Sequence, residues 1–136
     1  MLGLKRADLA KISDDELDFM TGGRTAEHAR KHLWHDGLKL LVVSLGGKGC
    51  LAITPNGETL VPSIKVEVVD TTGAGDGFVA GLLAGIVDDP QVLEETEALA
   101  RLCRFANVVG ALTTTARGAI PSLPTRLEVE KRLSAA

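Results

Sequence analysis

Tyrosine is absent from this 136-residue chain, and its aromatic side chains are limited to Phe19, Trp34, Phe78 and Phe105. So few flat rings exclude a stacking platform for single-stranded nucleic acid, and they leave the core to Leu, Val, Ile and Ala. Basic charge is not in excess: 15 Lys and Arg stand against 18 Asp and Glu, for a net charge of −3 with no basic run. A binder of phosphate backbones needs the opposite balance, so no nucleic-acid partner is expected. Cysteine is confined to Cys50 and Cys103, far apart and in no CxxC pair. That arrangement gives no zinc or redox motif, makes both residues small core fillers, and points to a reducing, cytoplasmic compartment. The longest mainly apolar stretch, residues 78–87, falls well short of the ~20 residues of a bilayer span. Residues 1–6 lack the apolar run and cleavage site of a secretory signal.

Glycine and aliphatic side chains are plentiful: 15 Gly, 45% apolar and 24% charged residues match one compact soluble domain. Leu9–Ile12 reads as a short strand. Ser13 followed three residues later by Glu16 is a capping box that opens a helix from Asp14 to about Met20, stopped at Gly22-Gly23. Thr25 caps a second helix over Ala26–Trp34. The run Leu38–Leu45 is short, β-branched and almost continuously apolar, as in a parallel strand buried on both faces. Cys50–Ile53 and Thr59–Val61 flank Pro55-Asn56-Gly57, an Asn-Gly hairpin signal. The alternating segment Ile64–Val69 leads into Asp70-Thr71-Thr72-Gly73-Ala74-Gly75-Asp76-Gly77. A helix from about Gly75 to Ile86 follows; it is apolar nearly all round and therefore expected to be central. Asp88-Asp89-Pro90 ends it. Two helical stretches, Val92–Leu99 and Ala100–Thr113, precede a glycine turn at 117–119 and a capping box, Thr125–Glu128, that opens a last helix to Leu133. Alternating strands and helices give an α/β class with two parallel strands and a hairpin.

The loop 70–76 carries the chemistry. Gly73-Ala74-Gly75 stands where an extended segment becomes a helix, and small residues there let several backbone N–H groups converge with the helix dipole behind them, forming an anion hole. Asp76 falls in the first helical turn, placed to take a proton from a hydroxyl that attacks a phosphoryl group. The same eight residues also read as an ordinary glycine-rich helix start with an acidic first turn. Rival motifs fail: Gly46-Gly47-Lys48-Gly49 lacks the spacing and hydroxyl of a P-loop, and Gly73, Gly75 and Gly77 do not make the dinucleotide GxGxxG. His28, His32 and His35 share a helix face, but Arg30 and Lys31 crowd it and no carboxylate stands ready to orient the rings, so the face reads as solvated. The acidic run Glu94–Glu97 reads the same way.

The string from Asp70 to Gly81, DTTGAGDGFVAG, resembles the C-terminal signature of the ribokinase-like (PfkB) sugar kinases along its full length. Lys11–Glu16, Ser44–Gly49, Phe105–Asn107 and Gly118–Pro124 resemble the same family in the same order. Ile86–Asp89 and Thr113–Pro121 are nearest to its fructokinase-type members. The resemblance implies the C-terminal portion of a three-layer α/β/α fold and ATP-dependent phosphorylation of a sugar hydroxyl, with Mg2+ and, in potassium-activated members, K+. It implies Asp76 as catalytic base and Gly73, Ala74 and Gly75 as the anion hole. Ser44, Leu45, Gly46 and Gly49 match the turn bordering the nucleotide, and Asn107 matches an adenine-side contact. Glu16 matches the glutamate that organises magnesium-bound phosphates, although Ser13 replaces the Asn that many members carry, and Ser13 with Glu16 also makes a capping box unaided. Asp70, Thr72, Thr113, Ala116, Gly118 and Ser122 match positions around a monovalent cation.

The resemblance covers nearly all of residues 1–136 but only the C-terminal half of the family's fold. The half that supplies most of the sugar pocket, several strands and the lid has no counterpart here. A complementing N-terminal fragment or a homo-oligomer is therefore an expected partner, along with ATP and a small sugar. An exposed sheet edge and apolar patch are also expected. Two other functions fit the same motif: a ribokinase-like kinase of another sugar or a nucleoside, and a non-catalytic nucleotide-binding or interaction fragment.

Overall fold

The computed structural model describes residues 8–71, 73–115 and 126–135. Strand β1 (Leu9–Ser13) runs directly into helix α1 (Asp14–Thr21). Ser13 makes this corner: its Oγ accepts from the Glu16 amide at 3.1 Å while its own amide donates to Glu16 Oε1 at 2.9 Å. Gly22, left-handed at φ 79°, ends α1 and donates its amide to Asp18 O. Thr25 caps α2 (Ala26–Leu33) by accepting from the His28 amide. Then follow β2 (Leu40–Ser44), a 3-10 turn at Gly46–Lys48, the hairpin β3 (Cys50–Thr54) and β4 (Gly57–Val61), and helix α3 (Ala74–Asp88). A second 3-10 turn (Pro90–Glu94), α4 (Thr96–Thr113) and α5 (Arg126–Ala135) complete the chain.

The sheet has the order β1-β2-β3-β4, with β1 and β2 parallel and the other neighbours antiparallel. Leu40 to Val43 on β2 are each at most 1% exposed, because the sheet is covered on both faces. On one face Leu40, Val42, Cys50, Ala52 and Val61 meet Phe78 and Leu82 of α3 and Leu99, Cys103 and Ala106 of α4. On the other, Ile12, Leu41, Val43 and Ile53 meet Leu17 of α1 and Ala29 and Leu33 of α2. The result is three layers, helix, sheet, helix. Arg30 ties the outer layer to the hairpin: its guanidinium donates to Glu58 Oε2 and to Thr54 O at 2.7 Å, and lies 5.3 Å from the Trp34 ring centre.

Helices α3 and α4 approach closely because their contact is built from small residues. A Cβ on Gly81 would stand 3.2 Å from Val109 Cγ2 and 3.3 Å from Ala106 Cα, and one on Gly77 would stand 2.7 Å from Thr113 Oγ1. Gly85 faces Leu102, and Gly110 returns the fit by lying against Ala74 O.

Three expectations change. Helix α3 is not central: Phe78, Leu82 and Ile86 are buried, but Leu83 and Val87 are exposed because the described residues cover only one side of it. The two helical stretches after Pro90 become a 3-10 turn and one long helix, because the Asp89 side chain caps the Gln91 amide and Glu95 is extended before α4 starts. Ile64–Val69 joins no sheet; Val69 N and Asp70 N instead donate to Thr114 O at the end of α4, at 2.7 and 3.0 Å. The glycine turn at 117–119 and Thr125 lie outside the described residues. Strand β1 pairs with β2 alone among them, leaving the expected free edge. No helix among the described residues is long and apolar enough to cross a membrane.

Replacing Gly81 with Leu should wedge α3 off α4 and cost about 3 kcal/mol, the upper range for overpacking. Urea unfolding followed by circular dichroism measures it; an unchanged midpoint would contradict the close contact.

Candidate active site

The carboxyl ends of β1 and β2 lie side by side, Ser13 opposite Ser44, where α/β sheets place their ligand crevices. The start of α3 comes near the Lys11 side chain of β1. Gly73, left-handed at φ 79°, occupies the cap position with no side-chain cap, Ala74 N donates to Thr71 O at 3.2 Å, and Gly77 N makes the first helical bond to Gly73 O. Among the described residues the amides of Gly75 and Asp76 have no intrahelical acceptor. Both residues are exposed, and Asp76 is the acidic residue of the first turn. Lys11 of β1 reaches in from below, its Nζ 3.4 Å from where a Cβ on Gly75 would stand.

Glu16 takes the capping role at the start of α1. The Ser13 amide, then the Ser13 hydroxyl and nearby Lys11, hold its carboxyl below the ordinary value of 4.5. Oε1 is committed to the Ser13 amide. Ser44 closes β2 with Oγ 3.4 Å from Ile12 O, and Leu45 N donates to Gly49 O at 2.8 Å across the turn. Gly46 and Gly49 both have positive φ, 62° and 109°. At Gly49 a Cβ would overlap Val61 O and stand 2.8 Å from Pro62 Cα, so glycine is required by backbone packing as well as by φ.

Asn107 holds the same strand exit from the other side. It is 5% exposed, and its Nδ2 donates to Val61 O at 3.0 Å and Pro62 O at 3.3 Å. Its side-chain amide is thus spent on the backbone that Gly49 touches. Asp70 and Thr113 are brought near one another by Thr114 O, which accepts from Asp70 N; Thr113 is fully buried with Oγ1 donating to Val109 O. Thr72, Ala116, Gly118 and Ser122 lie outside the described residues.

His28 and His32 stack with ring centres 6.0 Å apart, and His28 Nδ1 is 2.9 Å from Thr25 Oγ1. Among the described residues no three His, Cys, Asp or Glu side chains gather to hold a metal. A divalent ion here would need phosphate and water ligands, the usual manner of magnesium. Cys50 and Cys103 are buried in the core between the sheet and α4, and the hydrogen bond that Cys103 donates to Cys50, together with burial, pushes the Cys103 thiol up. Lys11 and Thr114 are the two participants that sequence reasoning missed. A Lys in the core-facing half of a strand's alternation was the available signal for the first; nothing local marks the second.

Residues 1–126 match the family described as pfkB family carbohydrate kinase. The chain belongs to this family. It is 52% identical over 124 residues to "Probable fructokinase-2" of Arabidopsis thaliana, covering 90% of this chain and 38% of that protein. Among solved structures it is similar to the fructokinase of Vibrio cholerae O395 with fructose, ADP and calcium bound, at a TM-score of 0.86 and 36% identity over 96% of this chain and 42% of that one. The fructokinase of Xylella fastidiosa with bound ATP gives 0.89 and 30%, over 98% of this chain and 44% of that one. The chain thus spans under half the length of these three family members.

The lowered Glu16 carboxyl has a stability consequence. Because the folded value lies below the unfolded one, its contribution is present above pH 4.5 and is lost as pH falls through the folded value. The stability gap between wild type and Glu16→Gln, taken from urea curves, should be open at about pH 6 and should narrow as the pH is lowered below 4.5. A pH-independent gap would contradict this.

Proposed function

We propose that this chain is the nucleotide-binding and catalytic-base part of an ATP-dependent sugar kinase of fructokinase type, corresponding to the C-terminal portion of the family's domain. The start of α3 is the observation that carries the reading. The uncapped amides of Gly75 and Asp76 open beside the exposed Asp76 carboxylate, so one helical turn offers both an anion site and a base. Asp76 accepts the proton as the sugar hydroxyl attacks the γ-phosphorus in line, and the Gly73, Ala74 and Gly75 backbone stabilises the charge on the transferring group. Ser44, Leu45, Gly46 and Gly49 border the nucleotide; the left-handed glycines keep this turn tight and bare, so that ribose or phosphate can approach backbone.

Bound magnesium would neutralise phosphate charge, and Glu16, with Oε1 in the capping box, would meet its water shell through Oε2. Asn107 acts on the adenine side by holding the Val61–Pro62 backbone in position. A potassium ion would be held, mainly through carbonyl oxygens, by Asp70 and Thr113 together with Thr72, Ala116, Gly118 and Ser122, the last four lying outside the described residues, and would supply fixed positive charge there. The groups that grip the sugar come from the remaining part of the family's domain, supplied by a complementing N-terminal portion that pairs with the free edge of β1. The protein works in the cytoplasm. A second reading is a non-catalytic nucleotide-binding or interaction fragment.

The test is ADP release from the chain mixed with the N-terminal portion of a related fructokinase, with fructose, ribose or adenosine as acceptor, with and without potassium. Asp76→Asn should lower turnover by about 10²-fold or more while ATP affinity is kept. Unchanged turnover would sink the assignment of the base. No ADP release with any of the three acceptors, while ATP still binds, would favour the second reading.

A further inference from the structure

Cys50 and Cys103 stand 53 positions apart in the chain, and that spacing makes no motif. The fold brings them together. Cys50 opens β3 on the sheet face that meets α3 and α4, and Cys103, from the middle of α4, enters the same core cluster as Val42, Phe78, Leu82 and Leu99. Both are fully buried and free, and Cys103 donates a hydrogen bond to Cys50. The chain has no other cysteine, so oxidation to a disulfide within one molecule has only this pair to use.

The two thiols are not equivalent. The hydrogen bond from Cys103, and a further one from the Asn107 side chain, hold the Cys50 thiol below its ordinary value of 9.0 against the opposing effect of burial. Donation to Cys50, together with burial, pushes Cys103 up. Cys50 is therefore the sulfur that ionises first, and a thiolate is the reactive form of cysteine. Cys103 keeps its proton and stands in contact as the second thiol that a sulfenic acid needs in order to become a disulfide. Thiols already in hydrogen-bond contact reach an S–S bond by side-chain rotation rather than by backbone movement, so β3 and α4 can stay packed.

We propose that Cys50 and Cys103 are a thiol–disulfide site, closed by hydrogen peroxide and reopened by a dithiol. The Cys50 thiolate attacks one peroxide oxygen; the O–O bond breaks, and the leaving hydroxide takes up the proton that Cys50 lost, giving Cys50 sulfenic acid and water. The Cys103 sulfur then attacks the Cys50 sulfur, the S–O bond breaks, and the second hydroxide leaves with the Cys103 proton as water. The two thiols lose two electrons and the peroxide gains them. Full burial favours an oxidant of water's size that enters during local opening, and it keeps larger disulfides out. The closed bridge ties the start of β3 to α4 beside Asn107, whose amide holds the backbone of Val61 and Pro62. The proposal does not depend on the kinase reading.

Treatment of the whole folded chain with a small excess of hydrogen peroxide, followed by catalase and then alkylation in denaturant, tests this. The two free thiols should fall to none, with a mass loss of two hydrogens, a cross-linked peptide joining Cys50 to Cys103, and a single-chain band on a non-reducing gel. Dithiothreitol should restore both thiols. The oxidised chain should unfold at a higher urea concentration than the reduced one, because the bridge restricts the unfolded chain between residues 50 and 103. Cys103→Ser keeps a hydroxyl donor but cannot bridge, so Cys50 should stop at the sulfenic acid and be trapped by dimedone. Cys103→Ala serves if the serine variant does not fold by circular dichroism, and the wild-type thiol count and mass stand without either variant. Persistence of both thiols in wild type, a disulfide between chains, sulfinic or sulfonic acid without a bridge, or a urea midpoint no higher than that of the reduced chain overturns the proposal.

Discussion

The close approach of α3 to α4 is the contact on which the rest of the site depends. Gly77 and Gly81 leave no side chain between the helices, so Thr113, Val109 and Ala106 press directly on the α3 backbone. That fixes where α3 begins. The end of α4 then presents Thr114 O to the amides of Val69 and Asp70, which holds that segment just ahead of Gly73. Position and direction of the helix start are therefore set by packing some distance from it, and the start itself is left free of capping side chains. A helix start positioned by packing in this way is fixed in direction without any ligand, which is what electrostatic stabilisation of a transferring phosphoryl group would require of the proposed anion site.

One short motif therefore carries two kinds of glycine. Gly73 takes a left-handed conformation and Gly75 keeps the helix end bare, both in the service of chemistry, whereas Gly77 and Gly81 serve helix packing. Gly49 and Asn107 show the same division of labour at the neighbouring turn. Each fixes the backbone of Val61 and Pro62, one by having no Cβ and the other by donating to two carbonyls. A substitution at any of these positions would move the site without removing a single group that touches a ligand.

Much of this was legible in the sequence because the signals were local. The Ser13–Glu16 capping box, the Asn56-Gly57 hairpin and the buried run of β2 all appear where residue spacing puts them. What was not legible depends on partners distant in the chain. The alternation of Ile64–Val69 suits a strand, yet its last amide and that of Asp70 pair with the end of a helix. Apolarity all round α3 signals burial, but no described element covers its outer face, so Val87 is 79% exposed. Asn107 matches an adenine-side contact by the family resemblance; that its amide faces inward to carbonyls 45 and 46 positions away needed coordinates. The base and anion hole are what the family resemblance implies, whereas the approach of Lys11 to Gly75 needed coordinates.

Nitrogen-15 chemical-shift mapping of the whole chain during titration with magnesium and ATP tests the central claim, that the bare start of α3 is where phosphate binds. Shifts should concentrate on the amides of Gly73 to Asp76 and of Ser44 to Gly49. Shifts confined to the hairpin end around Asn56 and Glu58, or a saturated complex with the Gly75 and Asp76 amides unmoved, would contradict it.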